Sequence, residues 1–342
     1  MTAGPRDRLG RALHDLRISV TDRCNFRCPY CMPSEVFGRD YQFLPRDEIL
    51  RLEEIARLSE IFVGLGVRKL RITGGEPTVR RGLTDLVAML AAIATPDGAP
   101  LDIAMTTNGS ALRHLARPLA DAGLRRVTVS LDSLDDATFQ RMNGVDFPVA
   151  KVLDGIDAAV EAGLGPVKVN VVLKRGENDG GILDLARWAR ESGHILRFIE
   201  YMDVGTTNGW RLDEVVPAME VVDRIGEAWA LEAEAPQYPG EVAQRWRYAD
   251  GGGEIGVIAS VTQPFCGDCT RARISAEGKL YTCLFSAVGH DLRGPLRSDA
   301  TDEDLADLVA GIWGARDDRY SELRAAATDK GLPKIEMFAL GG

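Results

Sequence analysis

The chain has 342 residues, with 41 Lys and Arg set against 51 Asp and Glu for a formal charge of −10, and six cysteines. A balance this acidic argues against a protein that coats nucleic acid, and no apolar run is long enough to span a membrane. Residues 1–8 lack the apolar stretch of a secretory signal, so a cytoplasmic location is expected, and a chain of this size there neither needs nor keeps disulfides.

In chain order, strands are predicted at residues 16–20, 69–73, 102–106, 127–131, 167–172 and 196–200. Helices are predicted between them at 45–64, 83–94, 111–122, 149–162 and 181–192, several ending at a glycine (Gly64, Gly123, Gly163, Gly193) suited to a left-handed cap. Strand–helix alternation implies parallel strands with right-handed crossovers. Six units fall short of the eight that close a barrel. The expected fold is therefore α/β: an open, partial (β/α)6 TIM-like barrel with its site at the C-terminal ends of the strands. After about Tyr201 the pattern changes, to a helix at 215–230, a β-like run at 254–261 and a helix at 302–313. The expected division is a barrel at 1–234 and a smaller module at 235–342.

All six cysteines fall in two triplets. Cys24, Cys28 and Cys31 follow the first predicted strand. An all-protein four-iron cubane takes four thiolates, so three leave one iron open to a ligand. A zinc site completed by a histidine, His14 being nearest upstream, is the bland alternative. Cys266, Cys269 and Cys283 form the second triplet, for which the alternative is zinc with His290. Beside it, Arg271 and Arg273 place two guanidiniums on one side of an extended segment, a fork suited to phosphate oxygens.

The run Cys24-Asn-Phe-Arg-Cys28-Pro-Tyr-Cys31 resembles the signature of the radical S-adenosylmethionine superfamily. The resemblance implies a [4Fe–4S] cluster on these cysteines, with Tyr30 against the adenine of S-adenosylmethionine. It also implies that Gly75 and Glu76 of the Gly74-Gly75-Glu76-Pro77 turn bind the methionine end, with Ser130 and Met202 as further contacts.

Four longer segments, 15–24, 71–77, 197–202 and 265–273, resemble the GTP 3′,8-cyclase family of molybdenum cofactor biosynthesis, as does the terminal Gly341-Gly342. That resemblance implies a second [4Fe–4S] cluster on Cys266, Cys269 and Cys283. It implies GTP contacts at Arg17, Arg71, Thr106, Lys168, Arg197, Arg271 and Arg273, with Arg17 also catalytic alongside Cys24, Cys28 and Cys31. The implied activity is a lyase-type radical cyclisation: a 5′-deoxyadenosyl radical takes hydrogen from ribose C3′ of GTP, and C3′ then bonds guanine C8. The product, (8S)-3′,8-cyclo-7,8-dihydroguanosine 5′-triphosphate, would pass to a cyclic pyranopterin monophosphate synthase. Implied partners are GTP, an electron donor of unknown identity and that downstream enzyme, with no nucleic acid and no membrane. The oligomeric state is left open, a homodimer included. Two rival readings are a two-cluster peptide-modifying radical enzyme and a zinc-stabilised nucleotide-binding protein.

Overall fold

The computed structural model describes residues 4–238, 240–328 and 334–341. The strands are β1 Asp15–Ser19, β2 Lys69–Thr73, β3 Asp102–Thr107, β4 Arg126–Ser130, β5 Lys168–Leu173, β6 Ile195–Glu200, β7 Leu231–Glu234, β8 Gln244–Tyr248, β9 Glu254–Ile258, β10 Arg271–Ile274, β11 Lys279–Tyr281 and β12 His290–Asp291. The helices are α1 Leu52–Gly64, α2 Leu83–Ala91, α3 Leu112–Asp121, α4 Asp136–Asn143, α5 Val149–Glu161, α6 Ile182–Ser192, α7 Ala218–Ala228, α8 Arg293–Arg297, α9 Asp302–Gly314, α10 Tyr320–Thr328 and α11 Met337–Leu340.

One sheet contains all the described strands, in the order β12-β11-β10-β1-β2-β3-β4-β5-β6-β9-β8-β7. The six predicted strands are its parallel centre. Two later strands extend it: β10 runs parallel to β1 and β9 parallel to β6. Eight consecutive strands are thus parallel, while β9 and β10 do not pair, so the barrel stays open.

Alternation along each central strand sets the chemistry of the two faces. Leu16 and Ile18, Leu70 and Ile72, Val127 and Val129, Val169 and Val171 are buried in the main core beneath the helices. The intervening residues face inward, and many are cationic: Arg17, Arg71, Lys168, Arg197, Arg271 and Arg273 line one cavity.

Several boundaries differ from the sequence reading. The first helix begins at Leu52, not at residue 45. The preceding segment is held in turns because Leu50 donates its N–H to the Ala276 carbonyl at 2.9 Å. The left-handed glycine after α1 is Gly66, not Gly64. Helix α4 was not foreseen; it is short, but Asp135 caps it by accepting the Thr138 N–H at 2.8 Å. Among the described residues no helix is long and apolar enough to cross a membrane.

Candidate active site

The pleat and register build the site from the strands upward. Arg17 sits opposite Arg71 on β2 and opposite Arg273 on β10. Three guanidiniums therefore stand side by side on adjacent strands, an arrangement that costs energy unless an anion joins them. Further round, Thr106 is in register with Thr128, and Thr128 with Lys168. Arg71 donates to Thr106 Oγ1 at 2.9 Å and to Thr128 Oγ1 at 3.1 Å, which fixes its fork across the cavity floor.

Electrostatics confirm the crowding. Burial, then the neighbouring Arg273, Arg271 and Arg71, hold the Arg17 pKa well below its ordinary value. Burial and nearby Arg197 lower Lys168 to about 7. Arg71 and Arg273 are each lowered to about 10, chiefly by burial. Arg273 is 2 % exposed, and its buried Nε has no hydrogen-bond partner, nor has Asn170 Oδ1. Orphaned donors and acceptors of this kind in a cavity wall suit a polar, anionic ligand.

All seven residues expected to contact GTP line this one cavity, together with Cys266, Cys269, Cys283 and Met202. Lys69 and Asn170 line it too and were missed. The signal for them was the two-residue period, which puts Lys69 on the same face as Arg71 and Asn170 on the same face as Lys168. Two arginines from distant segments hold the second triplet's loop. Arg11 donates to the Cys266 carbonyl at 2.6 Å, and Arg316 to the Cys269 carbonyl at 2.7 Å. Both are buried and share the carboxylate of Asp7. At Cys269, burial raises the thiol pKa but Arg271, Arg316 and Arg273 outweigh it, leaving a value of about 6. Arg271 donates to its Sγ at 3.3 Å.

Cys24, Cys28 and Cys31 lie in the loop after β1 and do not line that cavity, and neither do Tyr30, Gly75, Glu76 or Ser130. They cluster instead about the C-terminal strand ends. Tyr30 donates its hydroxyl to Asp132 Oδ2 at 2.7 Å, just beyond Ser130 at the end of β4. The Gly75 turn is packed tightly on the cysteine loop: a Cβ there would lie 2.3 Å from the Arg23 carbonyl oxygen. Glu76 is buried and accepts from Thr78, Thr107 and the Asn108 backbone. Burial raises its pKa. The three thiols are pushed up as well, by burial first, Cys24 to about 11.

The C-terminal segment closes over this loop. Lys334 donates to Asp203 Oδ2 at 2.8 Å, and Glu336 accepts from Thr206 and Thr207 at 2.9 Å. Phe338 packs edge-on against Phe37, with ring centroids 4.9 Å apart, and its backbone N–H points to Cys31. Gly341 lies against Thr73 at the end of β2, where a Cβ would come within 2.1 Å of that side chain. Gly342 lies outside the described residues.

Two donor sets of three cysteines fit iron–sulfur clusters by their chemistry. Among the described residues, no three Cys, His, Asp or Glu side chains converge as a single metal ion requires. His14 precedes β1, at the opposite end of the strand from Cys24, and His290 is exposed on β12.

Residues 18–189 match the radical SAM superfamily, and residues 194–322 match the family described as Molybdenum Cofactor Synthesis C. A GTP 3′,8-cyclase of Acidothermus cellulolyticus is 58 % identical over 96 % of this chain and 91 % of its own length. One from Staphylococcus haemolyticus is 48 % identical over the whole of both chains. Streptococcus suis SuiB bound to S-adenosylmethionine shares the fold, with a TM-score of 0.63 over 92 % of this chain and 68 % of its own, at 14 % identity. Identity of this order across nearly the full length of both partners shows that the chain belongs to the GTP 3′,8-cyclase family within the radical SAM superfamily.

Proposed function

We propose that the chain cyclises GTP to (8S)-3′,8-cyclo-7,8-dihydroguanosine 5′-triphosphate, the first step of molybdenum cofactor biosynthesis. Its superfamily works with a [4Fe–4S] cluster and S-adenosylmethionine. The observation that carries the reading is the in-register row Arg273–Arg17–Arg71, facing a cavity that also holds the second cysteine triplet. Such a row inside a protein of charge −10 is a receptor for a polyanion.

Cys24, Cys28 and Cys31 would hold the first cluster, which supplies the electron that cleaves S-adenosylmethionine. Their raised pKa values mean that binding iron must displace the thiol protons. Gly75 lets the cofactor approach the backbone, and Glu76 presents a carboxylate for its ammonium. Tyr30, Ser130 and Met202 complete that site. Cys266, Cys269 and Cys283 would hold a second cluster, with the guanine beside it. Arg17, Arg71, Lys168, Arg197, Arg271 and Arg273 would orient the triphosphate, and Thr106 keeps Arg71 in line. Lys168, with its pKa lowered to about 7, takes up a proton as the phosphates arrive. The tail from Lys334 to Gly341 keeps water from the first cysteine loop.

This reading includes the division into a barrel, 1–234, and a cluster-bearing module, 235–342. It also includes an external electron donor and a downstream cyclic pyranopterin monophosphate synthase in the cytoplasm. The test is anaerobic turnover of the reconstituted protein with GTP, S-adenosylmethionine and dithionite, followed by mass analysis. A cyclised nucleotide isomeric with GTP, of the same mass but with a different retention time and fragmentation, formed with 5′-deoxyadenosine, is expected. 5′-Deoxyadenosine without any modified nucleotide would overturn the substrate assignment.

A further inference from the structure

Electrons for the proposed reaction must come from outside the chain, so some surface near the first cysteine loop has to receive them. The concave face formed by the loop after β1, the start of α1 and the turn after Pro77 stands out. Its lining includes six arginines (Arg23, Arg46, Arg51, Arg80, Arg81 and Arg297) against two carboxylates, Asp47 and Glu53. The local excess is therefore four positive charges, on a protein whose formal charge is −10.

Ordinary surface arginines find carboxylates, and two of these do: Arg51 and Arg297 both pair with Glu54, at 3.1 Å and 2.8 Å. Among the described residues, Arg23, Arg46, Arg80 and Arg81 have no carboxylate within ion-pair distance. Arg80 is also held in place, donating to the Leu50 carbonyl at 2.8 Å. Burial and then its neighbour Arg46 lower the Arg80 pKa, so like charges are crowded here without compensation. Beside them, Val79 is 46 % exposed, and Leu44 and Leu52 also line the face. An apolar floor with a charged rim is the anatomy of a protein-docking surface rather than of a small-anion pocket.

Position decides the partner. Arg23 is bonded to Cys24, and its carbonyl oxygen is the atom that a Gly75 Cβ would strike at 2.3 Å. The face thus backs directly onto the first cysteine loop and its glycine turn. We infer that this arginine-rich face docks a small acidic electron-carrier protein that feeds the first cluster. The inference rests on the proposed function. One electron breaks the carbon–sulfur bond of S-adenosylmethionine. A second, with a proton, quenches the ring radical left when C3′ joins C8. A carrier oxidised by one electron at each visit therefore docks twice per product.

The test compares a protein donor with a small one. The probe is reduced flavodoxin, an acidic one-electron carrier, set against dithionite, which needs no docking face. The variant is Arg46→Glu combined with Arg81→Glu; both side chains are exposed, so folding and cluster content should match wild type. With flavodoxin, 5′-deoxyadenosine formation should fall about tenfold or more, while the dithionite-driven rate stays unchanged. Calorimetric binding of flavodoxin to the wild type should weaken as salt rises from about 0.05 M to about 0.2 M, and the variant should lose that salt dependence. Equal flavodoxin rates and affinities in variant and wild type would overturn the inference. So would a parallel fall with both donors, which would mean that these arginines act on the site itself. If the wild type bound flavodoxin through this face yet made no cyclised nucleotide, the docking face would stand and the reading of GTP cyclisation would fall.

Discussion

The two cysteine triplets have the same number of thiols, but Cys269 of the second sits in an electrostatic setting that no thiol of the first shares. Around Cys24, Cys28 and Cys31 the influences that disfavour the thiolate outweigh the hydrogen bonds and the Arg27 charge that favour it. Burial comes first, then Glu76 at Cys24 and Asp132 at Cys28. Around Cys269 three arginines reverse the effect of burial. The difference follows from what each loop adjoins. The first is packed on the Gly75–Glu76 turn and covered by Phe338. The second opens into the cationic cavity and is held by Arg11 and Arg316 through its own carbonyls. A net positive setting stabilises a more reduced, more negative centre, and keeps anionic substrate close to it. The first triplet suits a ligand with an ammonium group; the second suits a phosphorylated one.

Removing one ligand tests whether these are separate centres, and the effect should be complete. Cys28→Ala should abolish 5′-deoxyadenosine formation while leaving the second centre assembled. Iron should drop from about eight to about four per chain if both triplets hold cubanes. Normal cleavage by this variant would remove the first triplet from its assigned role. Cys283→Ala is the mirror case: it should keep cleavage of S-adenosylmethionine but lose cyclisation.

The substrate side should respond more gently. Arg273→Ala removes a buried guanidinium from the in-register row, a charge-assisted contact typically worth about 1.5–3 kcal/mol. GTP affinity should fall by about tenfold to a hundredfold, read by calorimetry, with the first centre's iron unchanged. An unaltered isotherm would show that the triphosphate lies elsewhere.

Much of this site was legible because the segments that carry it are short local runs, on which the family resemblance rests and from which it implied the GTP contacts. The strands that carry Arg17, Arg71, Lys168 and Arg197 were located to within a residue or so, but these residues lie inside β1, β2 and β6 and at the start of β5 rather than at the C-terminal strand ends. What the sequence did not show was pairing at a distance. Nothing local says that β10 docks on β1, yet that pairing brings Arg273 level with Arg17. Arg316 lies 309 residues from Asp7 and nearly as far from Arg11, yet all three meet behind the second triplet, and no spacing rule finds such a set. The tail's grip on the loop after β6, through Lys334 and Glu336, was hidden for the same reason.

Lys168 gives a smaller, pH-dependent effect. Its pKa is lowered to about 7 by burial and by the neighbouring Arg197, Arg126, Lys69 and Arg71. A bound triphosphate favours the charged form and raises it again. GTP binding above about pH 7 therefore takes up a proton, and affinity falls with rising pH by up to about tenfold per unit. Calorimetry in buffers of different ionisation enthalpy reads the uptake directly. Lys168→Met should bind more weakly and lose this proton uptake. A wild type that takes up no proton at pH 8 would mean that Lys168 does not meet the phosphates.

The smallest effect bears most directly on the contrast between the triplets. In metal-free protein, Cys269 should become a thiolate as the pH rises through about 6, whereas Cys24 and Cys283 should remain thiols until about 11. Ultraviolet thiolate absorbance should show the early step, and Cys269→Ser should erase it. Among the charges, Arg271 is the largest cause, and its guanidinium touches the sulfur. Arg271→Ala should therefore move the midpoint upward, towards the ordinary value of 9.0, by losing both the charge and the hydrogen bond. The same shift has a consequence for folding. A thiol whose folded pKa lies below its unfolded value adds most stability above the unfolded value. That contribution shrinks as the pH falls towards about 6. The urea midpoint of the metal-free wild type should consequently lose more between pH 9 and pH 6 than that of Arg271→Ala, other titrations being common to both. Identical midpoints and identical absorbance curves in the two proteins would mean that Arg271 points away from Cys269. The electrostatic contrast between the two triplets would then rest on Arg316 and Arg273 alone.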